Sequence, residues 1–210
     1  MALFALPVAI LGYAVRQRWD ALVAVDGAVA ADATDLARSA GLGTGLTVLQ
    51  AVSQPWVLYA AATAVCAWVW LGRGLRTRAL WAFVTMMVAW PVGLLLKVLV
   101  QRARPVIDEP LSHAPGYSFP SGHAFNAAVV ATVVVLLLWP VLSKPGRRLV
   151  MVLAVLGVLV IGLDRVFLGV HFASDVVAGW VLGFGISLAS WVGFIGRTQA
   201  PSSPAPSLPA

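Results

Sequence analysis

The chain has 210 residues, of which 60% are hydrophobic and 10% charged, and its mean hydropathy is +0.92. Soluble domains average about 25% charged residues, so this composition excludes an ordinary soluble domain and indicates an integral membrane protein. Lysine and arginine number 14 against 8 acidic residues, giving a net charge of +6. Because the cations lie in gaps between apolar runs, they favour membrane topology and an anionic substrate over nucleic-acid binding.

Apolar runs separated by polar segments predict an all-α bundle of about six membrane-spanning helices. The predicted spans are residues 2–15, 56–71, 80–96, 124–139, 149–163 and 176–194. The first run is shorter than the roughly 17–25 residues that a span needs, so it either crosses with its flanking arginines snorkelling or lies tilted at the interface. A signal peptide is the alternative, but Arg16 and Arg18 follow this run instead of preceding it, which favours an uncleaved helix.

The polar segment at residues 16–54 predicts an amphipathic helix lying along the membrane interface. Its apolar residues recur at three- and four-residue steps: Trp19, Leu22, Val25 and Val29. The three glycines in residues 41–45 predict a flexible turn after this helix. They are not a phosphate-binding loop, because no Gly-Lys-Ser/Thr sequence follows them.

We predict one membrane domain at residues 1–197, whose motif-bearing core is residues 80–185. The tail at residues 198–210 consists largely of Pro, Ser and Ala. It lacks the apolar residues needed for a packed core, so it is predicted to be disordered.

Two basic turns predict the orientation of the bundle in the membrane. They follow the second and fourth predicted spans and contain Arg73, Arg76, Arg78, Lys144, Arg147 and Arg148. In a six-span chain both turns lie on the same side as the two termini, and the positive-inside rule makes that side cytoplasmic. The polar segments at residues 97–120 and 164–174 then share the extracytoplasmic side.

The first polar cluster contains two cations. Lys97 and Arg104 are seven residues apart, about two helical turns, so on a helix both would face the same way. Pro105 disfavours helical geometry at Arg104 and predicts that it lies at the mouth of the helix. Two cations at this depth suit an oxyanion, although snorkelling at a helix end also explains such a pair. Arg102 lies off the Lys97 face and is predicted to be the snorkelling residue.

The second cluster, Ser121-Gly122-His123, stands at the start of the fourth predicted span. Serine is a favoured N-cap, and glycine lets the backbone approach a ligand closely. The free N–H groups at a helix N-terminus bind anions, and His123 in the first turn can donate a proton to a leaving oxygen. An ordinary capped helix with an interfacial histidine is the alternative.

The third cluster contains Arg165, His171 and Asp175. The histidine and the aspartate are four residues apart, so on a helix they share one face. An aspartate beside a histidine fixes its tautomer and stabilises the imidazolium, which suits His171 as a nucleophile that attacks phosphorus. Arg165 can reach the same phosphate with its planar guanidinium. A structural His–Asp hydrogen bond that closes a turn is the alternative.

The three clusters carry more weight together than singly, because ionisable groups at membrane depth are costly. Together they supply cations for a phosphoryl group, a nucleophilic histidine with its aspartate, and a second histidine as the acid. No cluster of cysteines and histidines is visible in the sequence. Neither a metal nor another cofactor is therefore predicted.

Taken together, the clusters resemble the three-part motif of the type 2 phosphatidic acid phosphatase family, whose active site is similar to that of vanadium haloperoxidases. The matching sequences are Lys97-x6-Arg104-Pro105, Pro120-Ser121-Gly122-His123 and Arg165-x5-His171-x3-Asp175. The resemblance implies a six-helix membrane fold and metal-independent hydrolysis of a phosphate ester or pyrophosphate.

The resemblance also implies a role for each matching residue. The phosphate-binding groups would be Lys97, Arg104, Ser121, the backbone of Gly122, and Arg165. His123 would be the acid, His171 the nucleophile that forms a phosphohistidine, and Asp175 its partner. One position departs from the family, which often has serine where this chain has Asp164. A carboxylate pointing inward there would repel phosphate, so we expect it to point away and to pair with a cation.

The predicted substrate is an amphiphilic lipid with its phosphate in the polar pocket. The resemblance allows a polyprenyl pyrophosphate, phosphatidate or phosphatidylglycerophosphate. The first is favoured because it is frequent for bacteria-like sequences and not because of any residue, and the oligomeric state is left open. Three other functions compete with this prediction. They are a non-catalytic protein that binds or transports anionic lipids, a structural membrane subunit, and a metal-dependent hydrolase.

Overall fold

A computed structural model describes the backbone of residues 2–199 and the side chains of residues 4–195. This part of the chain forms eight helices and no strands, which confirms the all-α prediction. The helices are α1 (Ala2–Arg16), α2 (Asp20–Ser39), α3 (Gly43–Val52), α4 (Pro55–Arg73), α5 (Arg76–Val100), α6 (Gly122–Leu138), α7 (Lys144–Phe167) and α8 (Ala173–Gln199).

Six helices correspond to the six predicted spans. Four of them, α4, α5, α7 and α8, are long and apolar enough to cross a membrane. The other two are shorter, at 15 residues for α1 and 17 for α6. Helix α6 packs against α4, α5, α7 and α8 and forms the centre of the bundle. Because protein encloses it on several sides, it need not match the bilayer thickness by itself.

Several predicted boundaries were too narrow. The basic residues Lys144 and Arg76 begin α7 and α5, where the hydropathy pattern predicted turns, and α7 continues through Asp164 to Phe167. The reason is that hydropathy falls where charge begins, whereas lysine and arginine are good helix formers and the backbone ladder continues through them. The predicted tail also begins too early, since α8 extends to Gln199; residues 200–210 lie outside the described residues.

The predicted flexible turn at residues 41–45 was too long. Only Gly41 adopts a left-handed conformation, with φ of +68°, and helix α3 begins at Gly43 and packs against α7. Tertiary packing therefore overrides the low helix propensity of the later glycines.

Helix α2 is amphipathic, but its buried face is not the predicted apolar stripe. Trp19, Val25 and Val29 are 53%, 61% and 40% exposed. The buried residues of α2 are instead Asp26, Ala30, Thr34 and Ala37. They face α7 and α8, against which α2 packs. Most of the apolar stripe therefore faces away from the protein, as an interfacial helix requires, although Leu22 packs against the cluster that contains Val8 and Phe119. A carboxylate points inward.

Two hydrogen bonds fix which helix ends lie together. Arg78 Nη1 donates to the Leu136 carbonyl at 2.9 Å, which places the start of α5 beside the end of α6. At the other end, the Ser121 N–H donates to the Asp175 carbonyl at 3.0 Å, which places the start of α6 beside the start of α8. All three polar clusters therefore lie at one end of the bundle, here called the site end, and the basic helix starts lie at the opposite end.

Helices α6 and α8 pack closely along two glycines, as the four-residue spacing in α8 predicts. A Cβ atom at Gly183 would lie 2.6 Å from the Phe125 carbonyl oxygen, and one at Gly179 would lie 2.9 Å from the Ser121 carbonyl oxygen. The contact places the start of α6 directly against the first turns of α8. It therefore sets the distance between the second and third polar clusters.

We expect Gly183→Ala to destabilise the protein by about 1–3 kcal/mol, because backbone atoms cannot yield to the added methyl group. Thermal unfolding in detergent, followed by tryptophan fluorescence, measures the effect. Gly157→Ala in α7 is the matched control, since a Cβ atom there has no neighbour within 4 Å. An equal melting temperature for both variants would contradict the close packing.

Candidate active site

Lys97 lies in the last turn of α5 and holds the loop that precedes the second cluster. Its Nζ donates to the Pro120 carbonyl at 2.8 Å and to the Tyr117 carbonyl at 2.9 Å, with Ser118 O at 3.4 Å. A Cβ atom on Gly122 would lie 3.8 Å from Lys97 Cε. The ammonium group is thus fixed beside the start of α6.

Arg104 reaches the same loop from the other side. Helix α5 ends at Val100, so the expectation that Lys97 and Arg104 share a helical face was wrong; the chain leaves the helix before Pro105, as that proline favours. The two cations meet through space instead, because Arg104 Nη2 also lies 3.3 Å from the Tyr117 carbonyl.

The Arg104 guanidinium is held mainly by backbone carbonyls. Its Nη1 donates to the Val170 carbonyl at 2.7 Å, and its Nη2 and Nε donate to Pro115 at 2.9 Å and Gly116 at 3.1 Å. Burial lowers the pKa of Arg104, and the negative charge of Asp175 partly offsets this effect. Carbonyl oxygens orient the cation without neutralising it, so its charge stays available to an anion.

The second cluster begins α6 as predicted. Ser121 is the N-cap residue and is completely buried. Its Oγ lies 3.5 Å from the Ala124 N–H, and its own N–H donates to the Asp175 carbonyl at 3.0 Å. Asn126 donates to the Gly122 carbonyl at 2.7 Å. The first turn of α6 is therefore tied to α8, with its N-terminus at the site end.

His123 lies in this first turn, and its ring lies close enough to the backbone of Gln50 in α3 to interact with it. Its Nε2 is buried and has no hydrogen-bond partner among the described residues. The ring interacts electrostatically with Arg165, His171 and Lys97, which places it among the other predicted site residues. The Nε2 nitrogen is thus left for a ligand.

His171 lies in the loop between α7 and α8 and is 3% exposed. Arg104 Nη1 lies 3.2 Å from its Nε2. Because a guanidinium can only donate, Nε2 is the acceptor and the neutral ring carries its proton on Nδ1. Burial lowers the pKa of His171 to about 4, and the charges of Lys97 and Arg104 add to this, although the hydrogen bond to Asp175 opposes it. The ring is therefore neutral near pH 7, with the Nε2 lone pair directed at the cations.

Asp175 lies in the first turn of α8 and is completely buried. Its Oδ2 accepts hydrogen bonds from Ser118 Oγ and from the Phe172 N–H at 3.0 Å, and it lies 3.4 Å from His171 Nδ1. Its Oδ1 accepts from Arg102 Nη1 at 2.7 Å. The predicted His–Asp proximity is present, although only Asp175 is helical. The histidine precedes the helix.

Arg165 lies in the last turn of α7 and is 1% exposed. Its Nη2 forms a salt bridge with Asp164 Oδ2, the departure from the family pattern. Asp164 does pair with a cation, as expected, but that cation is Arg165, which is itself predicted to bind the phosphate. Within the described chain, Arg165 Nε and Asp164 Oδ1 are buried without hydrogen-bond partners. A phosphate on Arg165 would therefore share the guanidinium with this carboxylate.

Arg102 is not the snorkelling residue that its position in the sequence predicts. Its side chain is 10% exposed and bridges Asp175 to Asp26 of α2, with an N–O distance of 2.7 Å to each. Neither Arg102 nor Asp26 was among the predicted site residues. A signal for Asp26 did exist: it lies on the same helical face as Ala30, Thr34 and Ala37, and small residues at that spacing indicate a packed face.

The arrangement brings a neutral histidine, its carboxylate, a second histidine and three cations to the site end of the bundle. Arg165 also interacts electrostatically with Arg104. Across residues 4–195, no group of three or more His, Cys, Asp or Glu side chains could hold a metal ion. The site is therefore suited to bind a tetrahedral oxyanion and to present a nucleophilic nitrogen to it.

Comparisons with known proteins agree with this chemistry. The model of the PAP2 superfamily matches residues 78–198. The chain is 45% identical over 91 residues to phosphatidylglycerophosphatase B of Bacillus subtilis (strain 168), a stretch that covers 42% of this chain and 44% of that protein. It is 38% identical over 79 residues to an undecaprenyl-diphosphatase of Sulfolobus acidocaldarius, covering 38% of this chain and 32% of that protein. These matches thus span less than half the length of each curated relative.

A solved structure is similar over nearly the whole fold. It is described as the first transmembrane PAP2 type phosphatidylglycerolphosphate phosphatase from Bacillus subtilis, and it matches with a TM-score of 0.84 and 28% identity. The match covers 96% of this chain and 100% of that chain. It confirms the multi-pass helical membrane fold and includes helices α1 to α4, all of which precede the region matched by the family model.

We expect Asp164→Ser to tighten binding of inorganic phosphate by about 10-fold, because one charged hydrogen bond would no longer compete for Arg165. Isothermal titration calorimetry of the detergent-purified protein with phosphate measures this. Asp32→Ser, which removes an exposed carboxylate from α2, is the matched control. Unchanged or weaker phosphate binding in Asp164→Ser would mean that the carboxylate orients Arg165 instead of competing with the ligand.

Proposed function

The chain belongs to the PAP2 superfamily, and on that premise we propose that it is an integral membrane lipid phosphatase. It hydrolyses a phosphomonoester or pyrophosphate of an amphiphilic lipid through a phosphohistidine intermediate on His171. The observation that carries this proposal is the geometry of that ring. Its Nδ1 faces Asp175 at 3.4 Å, and its Nε2 faces the Arg104 guanidinium at 3.2 Å. A histidine held only for structure has no need of a cation at its lone pair.

The first chemical step is attack of His171 Nε2 on phosphorus. A nitrogen–phosphorus bond forms as the bond to the leaving oxygen breaks, and His123, which is protonated when the anionic substrate is bound, gives that oxygen a proton. The proton on Nδ1 stays between His171 and Asp175, whose negative charge stabilises the imidazolium. In the second step a water attacks phosphorus, His123 takes its proton, and the bond to Nε2 breaks to release phosphate.

The cations stabilise the charge on the phosphoryl oxygens during both steps. Lys97 and Arg104 are pre-oriented by the carbonyls of the loop, so little reorganisation is needed when the phosphoryl group arrives. Arg165 supplies the third cation, and the N–H groups at the start of α6, after Ser121 and Gly122, supply neutral donors. We assign these five residues to phosphate binding.

An apolar cavity beside the site suits the lipid chain of the substrate. It has a volume of about 380 Å³, lies between α1, α5 and α8, and reaches Phe119, which directly precedes the second cluster. Gly12 of α1 borders it, and Arg16 is its charged residue. A hydrocarbon chain in this cavity would place the attached phosphate next to Pro120.

Two head groups are proposed as substrates. A polyprenyl pyrophosphate is the first, because the Sulfolobus relative is named as an undecaprenyl-diphosphatase. Phosphatidylglycerophosphate is the second, because the Bacillus relative and the solved structure are named for it. Both present a terminal phosphoryl group on an amphiphile, which is the chemistry that the site recognises.

We also propose that the site end faces the extracytoplasmic side, with both termini on the cytoplasmic side. The basic starts of α5 and α7 lie at the opposite end of the bundle, and the positive-inside rule directs such residues to the cytoplasm. Three of these residues, Lys144, Arg147 and Arg148, stand together in the first turns of α7.

We expect the detergent-purified protein to release phosphate from a polyprenyl pyrophosphate or from phosphatidylglycerophosphate with EDTA present. His171→Ala should lower the rate at least about 10³-fold, because the nucleophile is lost. Asp175→Asn should lower it roughly 10²- to 10⁴-fold, because the tautomer of His171 is no longer fixed. Release of phosphate is measured colorimetrically, with phosphatidate as the third lipid tested.

The control is His113→Gln, which removes an exposed histidine of the loop between α5 and α6. Full activity in His171→Ala would overturn the phosphohistidine mechanism. Binding of these lipids without turnover would support a binding or transport protein. Loss of release in EDTA would support a metal-dependent hydrolase.

The sidedness is tested by cysteine labelling in whole cells. The native Cys66 is buried, so Cys66→Ser gives a cysteine-free background. We expect His113→Cys at the site end to react with a membrane-impermeant maleimide on intact cells, and Arg76→Cys at the basic end to react only after the cells are opened. The reverse pattern would contradict the proposed orientation.

A further inference from the structure

Arg102 stands between two buried carboxylates from distant parts of the chain. Its Nη1 donates to Asp175 Oδ1 and its Nη2 donates to Asp26 Oδ2, both at 2.7 Å. Asp175 is 0% and Asp26 2% exposed. Both carboxylates are nearly out of water, where a charged group needs an opposite charge and full hydrogen bonding. Arg102 supplies the positive charge for both.

Asp26 also caps the helix that carries Asp175. Its Oδ1 accepts a hydrogen bond from the Ser174 N–H at 3.0 Å, and its Oδ2 accepts from Ser174 Oγ. The first N–H groups of a helix have no partner within the helix, and a carboxylate there also interacts favourably with the helix dipole. The capping group for α8 thus comes from α2, which lies before the region matched by the family model.

The Arg102 guanidinium is held in one orientation on several sides. Besides the two carboxylates, Nη1 lies 2.7 Å from Ser174 Oγ, and the guanidinium carbon lies 3.9 Å from the centre of the Phe172 ring. A planar fork suits this geometry because two carboxylates and an aromatic face are engaged at once. A lysine could keep the charge but not these contacts.

The two oxygens of Asp175 divide between Arg102 and His171. Oδ1 is directed to the guanidinium, so Oδ2 is left for His171 Nδ1, for Ser118 Oγ and for the Phe172 N–H. Rotation of the carboxylate would exchange these partners. The cation therefore fixes which oxygen faces the histidine, and with it the position of the ring.

We propose that Arg102 is a positioning residue for the His171–Asp175 pair, and that Asp26 of α2 holds Arg102 in place. As a statement about catalysis, this rests on the proposed phosphatase activity. It gives the N-terminal helices a specific part in the site, since Asp26 reaches the His171–Asp175 pair through Arg102 and through its cap on α8. A plain buried ion pair would contribute to folding alone, and replacing one partner would cost stability without changing the histidine.

The experiment compares Arg102→Lys, Arg102→Gln and Asp26→Asn with wild type. For Arg102→Lys we expect kcat to fall about 10- to 100-fold, because charged hydrogen bonds that orient Asp175 are lost. KM should change less than about threefold, since Arg102 is not among the groups placed on the phosphate. Asp26→Asn should lower kcat less, by about 3- to 10-fold, because Arg102 keeps its bond to Asp175. Arg148→Gln, at the exposed start of α7, is the matched control and should be unchanged.

A second readout does not depend on turnover. The chain has three histidines, so the His171 ring resonances are assigned by NMR as those lost in His171→Gln. The charged groups that act on this ring are Asp175, Lys97 and Arg104. In Arg102→Gln, Asp175 no longer shares its charge with an arginine and stabilises the imidazolium more. The pH of half-protonation of His171 should then rise by roughly one pH unit.

Thermal unfolding identifies the variants that fold, and only these are compared. A folded Arg102→Lys with wild-type kcat would overturn the proposal. An unchanged His171 titration in folded Arg102→Gln would overturn it as well. If the wild type hydrolyses no lipid, the proposed function fails, while the titration still decides whether Arg102 controls the His171–Asp175 pair.

Discussion

A carboxylate taken out of water at the end of a helical bundle has to be surrounded by donors, and Asp175 imposes that requirement on the site. Its two oxygens are contacted by Arg102, Ser118, the backbone N–H of Phe172 and the ring of His171. These donors come from the two ends of the loop between α5 and α6 and from the loop before α8. Satisfying one buried charge therefore brings two separate loops together.

The cations of the site obey a complementary constraint. Lys97 and Arg104 are bound mainly by backbone carbonyls, not by carboxylates. Carbonyl dipoles hold the side chains in place and leave their net charge uncompensated, which attracts an anion. Arg165 differs, because it is paired with the adjacent Asp164. Lys97 and Arg104 are thus free to attract phosphate, whereas Arg102 neutralises the protein's own carboxylates. Arg165 is the exception, because it is assigned to phosphate and is also paired with a carboxylate.

The fold was largely predictable because its main determinants are local. Apolar runs reveal membrane helices without knowledge of their neighbours, and small residues four apart, such as the two glycines of α8, allow the close helix contact that the structure contains. The errors share a cause as well. Helices α7 and α5 begin at the charged residues Lys144 and Arg76, where hydropathy predicted turns. The buried face of α2 is determined by its packing against α7 and α8 and not by its own apolar residues. Hydropathy reports lipid exposure and carries no information about such contacts.

The membrane class, the six apolar helices and the residue types that gather at one end of them all follow from the amino-acid sequence. Spacing within each cluster is local, and the four-residue step predicted that His171 lies near Asp175, although the histidine precedes the helix. The role of Arg102 follows only from the three-dimensional packing, because its partner Asp26 lies 76 residues away. Hydropathy treats a charged residue near a helix end as solvated. Whether it instead neutralises a buried carboxylate depends on packing between α2 and α8, and no local pattern encodes that contact.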